Sequence, residues 1–294
     1  MKWIAAVLTL FFAGAAAAQA PAADPAAESA AAYAAAKAVM KEGPADVKLI
    51  DQATLHLPAG FVFIPKNEAM RLLKSMGNRP SPETLGMIFP VTAGENWFLV
   101  ARYTPSGYIK DDDAKDWNAD DLLKGIREGT ELANAERKQR GIPEMEIVGW
   151  VERPAYDASS HRLVWSLSSR DKGAPATAEQ GVNYNTYLLG REGYVSMNLV
   201  TGKDFVEAQK PIARTLLAAL EFDKGKSYSD FNASTDRVAE YGLAALVGGV
   251  AAKKLGLFAV LAAFFAKFAK LIIFGGIALG ALVLKVFRGK KADA

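Results

Sequence analysis

The sequence predicts an α+β domain, an antiparallel sheet built from hairpins with helices on one face, followed by a C-terminal transmembrane helical segment. Three observations carry this. Short alternating apolar runs meet across Gly-, Ser- and Asp-containing turns, with no βαβ rhythm. Three stretches place apolar residues at helical spacing. After Asp230 the composition shifts, and from Val238 to Phe287 it is almost wholly apolar or small.

Taken in order, Thr54 to Leu57 and Phe61 to Ile64 flank Pro58-Ala59-Gly60, which reads as a hairpin. Ala69, Leu72, Leu73 and Met76 mark a helix that Gly77-Asn78 and Pro80 stop. Asn96 to Tyr103 alternates Trp97, Leu99, Ala101 and Tyr103 on one face of a strand. A longer helix runs from Ala119 to Arg140, striped by Leu122, Ile126, Gly129 and Ala133. Two further hairpins pair Glu146–Glu152 with Arg162–Ser168 and Val182–Leu189 with Tyr194–Val200. Asp204 to Leu220 is the last helix, with Phe205, Ala208, Ile212 and Leu216 on one side and Pro211 as a kink or a start. This run of hairpins and helices is similar to small domains of the PsbP/Mog1 type.

Outside the domain, Lys2, the apolar run Trp3–Phe12 and the small residues that follow read as a signal peptide over residues 1–20. Cleavage sites of the A-x-A form end at Ala18 and Ala20, and Ala18 is favoured because Pro21 would lie across the other bond. Residues 21–45 form an Ala/Pro-rich tether, within which Glu28 to Lys41 can be helical on Ala propensity alone. Residues 46–230 are then the folded domain, expected in the periplasm. Residues 268–287, about 20 long, suffice to cross a hydrocarbon core of roughly 30 Å, with Lys270 and Lys285 snorkelling to opposite interfaces. A further span within 238–266 would bury Lys253 and Lys254 at roughly 2.5–3.5 kcal/mol each, so that apolar segment is expected to lie at the interface or against protein. The basic tail 288–294 then ends in the cytoplasm, giving a single-pass inner-membrane protein. Gly276 and Gly280 form a GxxxG that permits a homodimer in the bilayer, although a lone span fits the same small residues.

Composition bounds the chemistry. With 35 Lys+Arg against 32 Asp+Glu, a net charge of +3 and no basic stripe, nucleic acid is not an expected partner. Cysteine is absent, which excludes disulfides, thiolate metal sites and thiol nucleophiles from this chain. No Walker loop, dinucleotide fingerprint or zincin motif occurs, and no cofactor is expected.

The acidic run Asp111, Asp112, Asp113, Asp116, Asp120, Asp121 matches the first calcium-loop positions at Asp116, Asn118 and Asp120. It then fails, with Asp121 at the Gly position and Arg127 at the bidentate Glu position. The simpler expectation is that Asn118 caps the following helix. Of the two histidines, His56 lies mid-strand and His161 follows a turn near Ser159, Ser160, Ser166 and Ser168, none of them in a nucleophile-elbow context. Asn183, Tyr184, Asn185 and Tyr187 with Trp150 and Trp165 can line a recognition face, a mixture that strand alternation also produces unaided. No catalytic, cofactor or metal residue is therefore assigned. The expected function is a non-enzymatic binding module of the cell envelope with the bilayer and an envelope protein as partners; the alternative is a hydrolase using His161 with a nearby serine or the Asp111–Asp116 cluster.

Together, Met76 to Pro80 (MGNRP), Ser106 to Asp113 (SGYIKDDD), Gly149 to Glu152 (GWVE), Tyr156 to Trp165 (YDASSHRLVW) and Tyr241 to Leu246 (YGLAAL) resemble a bacterial family of uncharacterised membrane-anchored proteins, domain of unknown function 2167. The likeness runs from about Gly43 to Phe287. It implies export and membrane anchoring, and it assigns no active residue.

Overall fold

The computed structural model describes residues 25–78, 80–92 and 94–248. Among the described residues the elements follow one another as α1 (Pro25–Val39), β1 (Lys41–Glu42), β2 (Ala45–Leu49), β3 (Ala53–Leu57), β4 (Phe61–Pro65), α2 (Lys66–Ser75), β5 (Thr84–Pro90), β6 (Phe98–Thr104), α3 (Ala119–Gln139), β7 (Met145–Asp157), β8 (Arg162–Asp171), β9 (Gly181–Leu189), β10 (Tyr194–Gly202), α4 (Val206–Ala218) and β11 (Leu220–Phe222). Eight strands form one antiparallel sheet in the order β1-β4-β5-β6-β10-β9-β8-β7, and β11-β3-β2 form a second. The α+β class and the antiparallel sheet are as the sequence predicts.

Two of the expected hairpins form, β7–β8 and β9–β10. The expected hairpin across Pro58–Gly60 does not: the turn is present, with Gly60 at φ 88, but β3 pairs with β2 and β11 while β4 pairs with β1 and β5. The turn thus carries the chain from one sheet to the other. The apolar run of β4, buried at Val62, Phe63 and Ile64, belongs to the interior of the large sheet, and alternation alone does not choose a strand's partner.

Helices cover both faces of the large sheet, which corrects the one-face expectation. On one face α4 and the small sheet bury Leu99, Ala101, Val195, Met197 and Leu199 against Leu55, Ala213 and Leu216. The strand residues of opposite parity face the other way. There α1 and α2 cover Ile64, Met87 and Val100, while α3 and residues 239–247 cover Leu163, Leu189 and a set of aromatic side chains. Apolar side chains of both parities along these strands call for cover on both faces.

Two terminal segments extend the domain beyond its expected bounds. Helix α1, expected within a tether, is packed against the domain, with Ala32 and Ala36 buried beside Leu72, Leu73 and Ile64. Small side chains let the two helices approach closely, so the Ala-rich composition serves packing as well as propensity. At the other end the domain continues past Asp230. Residues 238–248, expected at the interface or against protein, pack against protein: Val238 bridges Tyr108, and Leu243, Leu246 and Val247 are buried. Among the described residues no helix is long and apolar enough to cross a membrane. The expected signal peptide over 1–20, the remainder of the 238–266 segment, the span 268–287 with Gly276 and Gly280, and the tail 288–294 lie outside the described residues.

Candidate functional site

The sheet face that receives residues 239–247 gathers most of the residues singled out in the sequence. The turn Asp157–Ser160 that joins β7 to β8 is closed by one carboxylate: Asp157 accepts from the Ser159 backbone N–H at 2.9 Å and from the Ser159 and Ser160 hydroxyls at 2.6 Å each. These bonds hold the Asp157 carboxyl down at about 2. His161 follows at φ 53, a left-handed conformation uncommon for a residue with a Cβ, and its carbonyl accepts from Leu189 N–H at 3.0 Å.

That backbone turn aims the imidazole into an aromatic stack. His161 lies on Tyr228 with ring centroids 4.1 Å apart, and Tyr108 stacks between Tyr228 and Phe231 at 4.4 and 3.8 Å. Tyr228 donates to the Ile109 carbonyl at 2.8 Å. The Tyr156 hydroxyl donates to Asp111 Oδ2 at 2.7 Å, so its oxygen is free to accept from His161 Nδ1 at 3.2 Å when that nitrogen carries the proton. His161 Nδ1 itself is 3.9 Å from Asp111 Oδ2. Burial first, and then the bond to Asp111, push the Tyr156 phenol well above its ordinary range, so it stays a neutral donor.

Asp113, two residues on, accepts from the backbone N–H groups of Leu243 and Ala244 at 3.0 Å each. It caps the turn that opens the helical residues 244–248, a role that a carboxylate fills well at a positive helix end. Gly242 leaves room for that carboxylate, because a Cβ at that position would stand 2.4 Å from Asp113 Oδ2 and displace it. The acidic loop therefore fastens the start of the C-terminal segment to the sheet. Asn118 caps α3 as expected, accepting from Asp120 and Asp121 N–H at 2.8 and 3.3 Å, and Asp120 pairs with Arg153 at 3.1 Å. Among the described residues no group of three or more His, Asp or Glu converges as a metal site would require.

The serines do not join His161. Ser159 and Ser160 serve Asp157, Ser166 donates to the Asn183 carbonyl at 3.1 Å, and Ser168 is buried. His56 is remote from this face, on β3 of the small sheet, paired with Asp46 at 2.7 Å. What the arrangement at His161 provides is a hydrogen-bonded and stacked brace between the β7–β8 turn, the acidic loop and Tyr228.

Along the same face the register sets two polar rows. Thr84, Arg102, Ser196 and Tyr187 are successive cross-strand partners on β5, β6, β10 and β9. One step along lie Val100, Asn198, Asn185 and Trp165. Asn198 donates to Asn185 at 2.6 Å, Asn185 donates to the Asn183 carbonyl at 3.2 Å, and the Tyr187 hydroxyl donates to the Leu246 carbonyl at 3.3 Å. The recognition-face residues thus divide. Asn185, Tyr187, Trp150 and Trp165 are on this side, whereas Tyr184 lies on the other, donating to Glu152 at 3.1 Å and accepting from Arg214 at 3.0 Å. Arg102 carries no signal in the sequence beyond its place in an alternating strand, and the same is true of Thr84.

The fold is similar to that of cyanobacterial PsbP (CyanoP) from Synechocystis sp. PCC 6803, at 11% identity over 63% of this chain and 91% of that one, with a TM-score of 0.36. It is similar also to the Ran-binding protein Mog1p of Saccharomyces cerevisiae, at 12% identity over 65% of this chain and 100% of that one, with a TM-score of 0.32. At that level neither likeness carries a functional argument. No curated protein matches the chain. The acidic loop, the β7–β8 turn and the docked segment after Val238 all fall within residues 41–278, which match the family model described as Protein of unknown function (DUF2167), and the chain belongs to that family.

Proposed function

We propose that this protein is a binding module of the bacterial cell envelope: a periplasmic α+β domain held at the inner membrane by its C-terminal segment, which recognises a protein or envelope ligand. The observation that carries the reading is the docking of residues 238–248 on the sheet face, with Asp113 capping the turn at Leu243 and Ala244. A domain fastened so firmly to the start of an apolar segment is built to be presented at a fixed distance from whatever that segment enters. The signal-like start, the apolar stretch 268–287 and the basic tail after it support the membrane and the orientation.

The His161–Tyr156–Asp111 contact favours a second reading, acid–base chemistry, because an imidazole, a phenol and a carboxylate meet there. Against it stand the serines engaged elsewhere and a Tyr156 held neutral. Crosslinked co-purification of the full chain from membranes, with His161→Ala and Asp111→Asn in parallel, separates the two. The binding reading expects a discrete partner retained by both variants, and protease cleavage of the domain in spheroplasts. Retained fold with complete loss of function in His161→Ala supports the enzyme, and a domain protected from protease in intact spheroplasts sinks the periplasmic placement.

A further inference from the structure

Arg102 on β6, like Arg162 on β8, holds no carboxylate among the described residues, unlike other cations on or beside the large sheet. Arg170 and Arg191 each hold a carboxylate, at 2.5 and 2.7 Å, and Arg214 holds one at 2.7 Å from the covering helix α4. Arg102 is half-buried in the middle of β6, on the face away from Leu99, Ala101 and Tyr103, and makes no hydrogen bond or ion pair among the described residues. Burial holds its guanidinium below its ordinary pKa, opposed by Tyr187 and then by Glu83. The Glu83 carboxylate is engaged by the Thr104 hydroxyl at 3.1 Å.

The groups around Arg102 are also short of partners. Its cross-strand neighbour Thr84 is fully buried with an unbonded hydroxyl, and Asn198 Oδ1, one step along the face, is buried and unbonded. Ser196, the partner on β10, faces the same way. A desolvated charge and buried polar atoms left unsatisfied are costly, and a fold retains them where something else supplies the bonds. The rest of the chain offers few carboxylates to do so. Residues 249–294 contain one acidic side chain, Asp293, against Lys253, Lys254, Lys267, Lys270, Lys285, Arg288, Lys290 and Lys291, and residues 1–24 contain only Asp24.

We infer that Arg102, with Thr84, Ser196 and Asn198 around it on the sheet, binds a phosphate group. A carboxylate would be satisfied by the guanidinium fork alone, whereas a tetrahedral phosphate offers oxygens to donors from three adjacent strands at once. Asn198 Oδ1 calls in addition for a donor, such as the hydroxyl of a protonated phosphate or of a glycerol ester. A free phosphate and the head group of an anionic glycerophospholipid share this chemistry. The lipid is the expected source, because the chain leaves the described fold at Gly248, next to Val247 buried on this same face. Only that source rests on the envelope reading; the phosphate site does not.

The test uses the full chain in neutral detergent and phosphate-free buffer, with thermal melting as the readout. The probes are inorganic phosphate, phosphatidylglycerol and, as an uncharged control, diacylglycerol. Wild-type protein should melt at higher temperature with phosphatidylglycerol and not with diacylglycerol, and Arg102→Met should lose the shift while melting no lower than wild type without ligand. A shift with phosphatidylglycerol alone identifies the lipid head group. A shift with inorganic phosphate as well shows that the anion suffices, leaving the membrane reading to its own experiments. No shift with either probe, an equal shift with diacylglycerol, or a shift retained in Arg102→Met overturns the site. Should Arg102→Met fail to fold, Arg102→Lys combined with Ser196→Ala decides it, since that pair keeps the charge and removes the fork and one hydroxyl. A full wild-type shift in the pair then overturns the proposal, and a reduced one supports it.

Discussion

Asp113 holds two backbone N–H groups with one carboxylate, and Gly242 leaves it the room to do so. Loss of such a cap costs about 0.5–2 kcal/mol. Asp113→Ala should therefore lower the denaturant midpoint by that order, and Gly242→Ala should do the same by driving the carboxylate off its partners. Because both act on one contact, the double variant should be little worse than the worse single. Strictly additive losses would show that the two residues act separately. The titrating residues set a second expectation. Asp157, held at about 2 by Ser159 and Ser160, sits below the unfolded value of about 3.9, so its contribution is present above about pH 4 and fades as pH falls toward 2. Tyr184, Tyr103 and Tyr194 are each pushed up to about 12, chiefly by burial, and contribute fully below the unfolded value of about 10. That share is lost as pH rises from 10 through 12. Unfolding midpoints measured against pH should fall on both limbs, with tyrosinate absorbance rising together with the alkaline loss. An alkaline collapse that precedes tyrosinate formation would contradict the assignment.

Helix α1 tests how far packing extends at the level of elements. Ala32 and Ala36 are buried against α2, so Ala36→Glu must overfill a close contact and bury a charge, at a cost of at least about 1–3 kcal/mol. An exposed position on the same helix, such as Lys37→Glu, should be nearly neutral. Equal small effects at both positions would return α1 to the status of a free tether. The comparison also shows which elements the sequence reveals. Hairpins β7–β8 and β9–β10 were legible because their turns are short and their strands alternate, α2 because Ala69, Leu72 and Leu73 form its buried stripe, and α3 in its extent and its Asn118 cap; the α3 stripe was not, since Gly129 and Ala133 are exposed while Gly125 and Asn134 are buried beside Leu122. Strand β5 was not, since Thr84 to Ile88 is buried throughout and a continuous apolar run has no period to read. In α4 the buried set is Val206, Gln209, Ala213, Leu216 and Leu217, one residue round from the expected stripe, with Phe205 exposed. Pro211 lies inside that helix, and its Ile212 is only partly buried. The His161 brace and the unpaired Arg102 were out of reach for a different reason. Both depend on register between strands distant in sequence, and register follows from the assembled sheet.

At the scale of the whole molecule, the folded unit ends at least as far along the chain as Gly248, and this changes where its boundary with the apolar segment must be tested. A chain cut after Asp230 forfeits Leu243, Leu246 and Val247, each buried on the sheet face. At roughly 1.5–3 kcal/mol for each buried aliphatic side chain, that loss is comparable to a large part of the 5–15 kcal/mol that holds a domain together. The chain ending after Gly248 should unfold cooperatively at clearly higher denaturant than the one ending after Asp230, and equal midpoints would show that the docked segment contributes nothing. The same boundary governs topology. With the segment fixed to the domain up to Gly248, the distance from the sheet to Phe268 is about 20 residues, enough for an interfacial stretch that keeps Lys253 and Lys254 out of the bilayer centre before a single crossing. Alkaline phosphatase joined after Gly248 should then be active, and a cytoplasm-active fluorescent protein joined after Ala294 should fluoresce. A C-terminus that is dark as the fluorescent fusion and active as a phosphatase fusion would mean two crossings. The two lysines would then have to be paired or hydrated within the membrane, and the single-span proposal would fail.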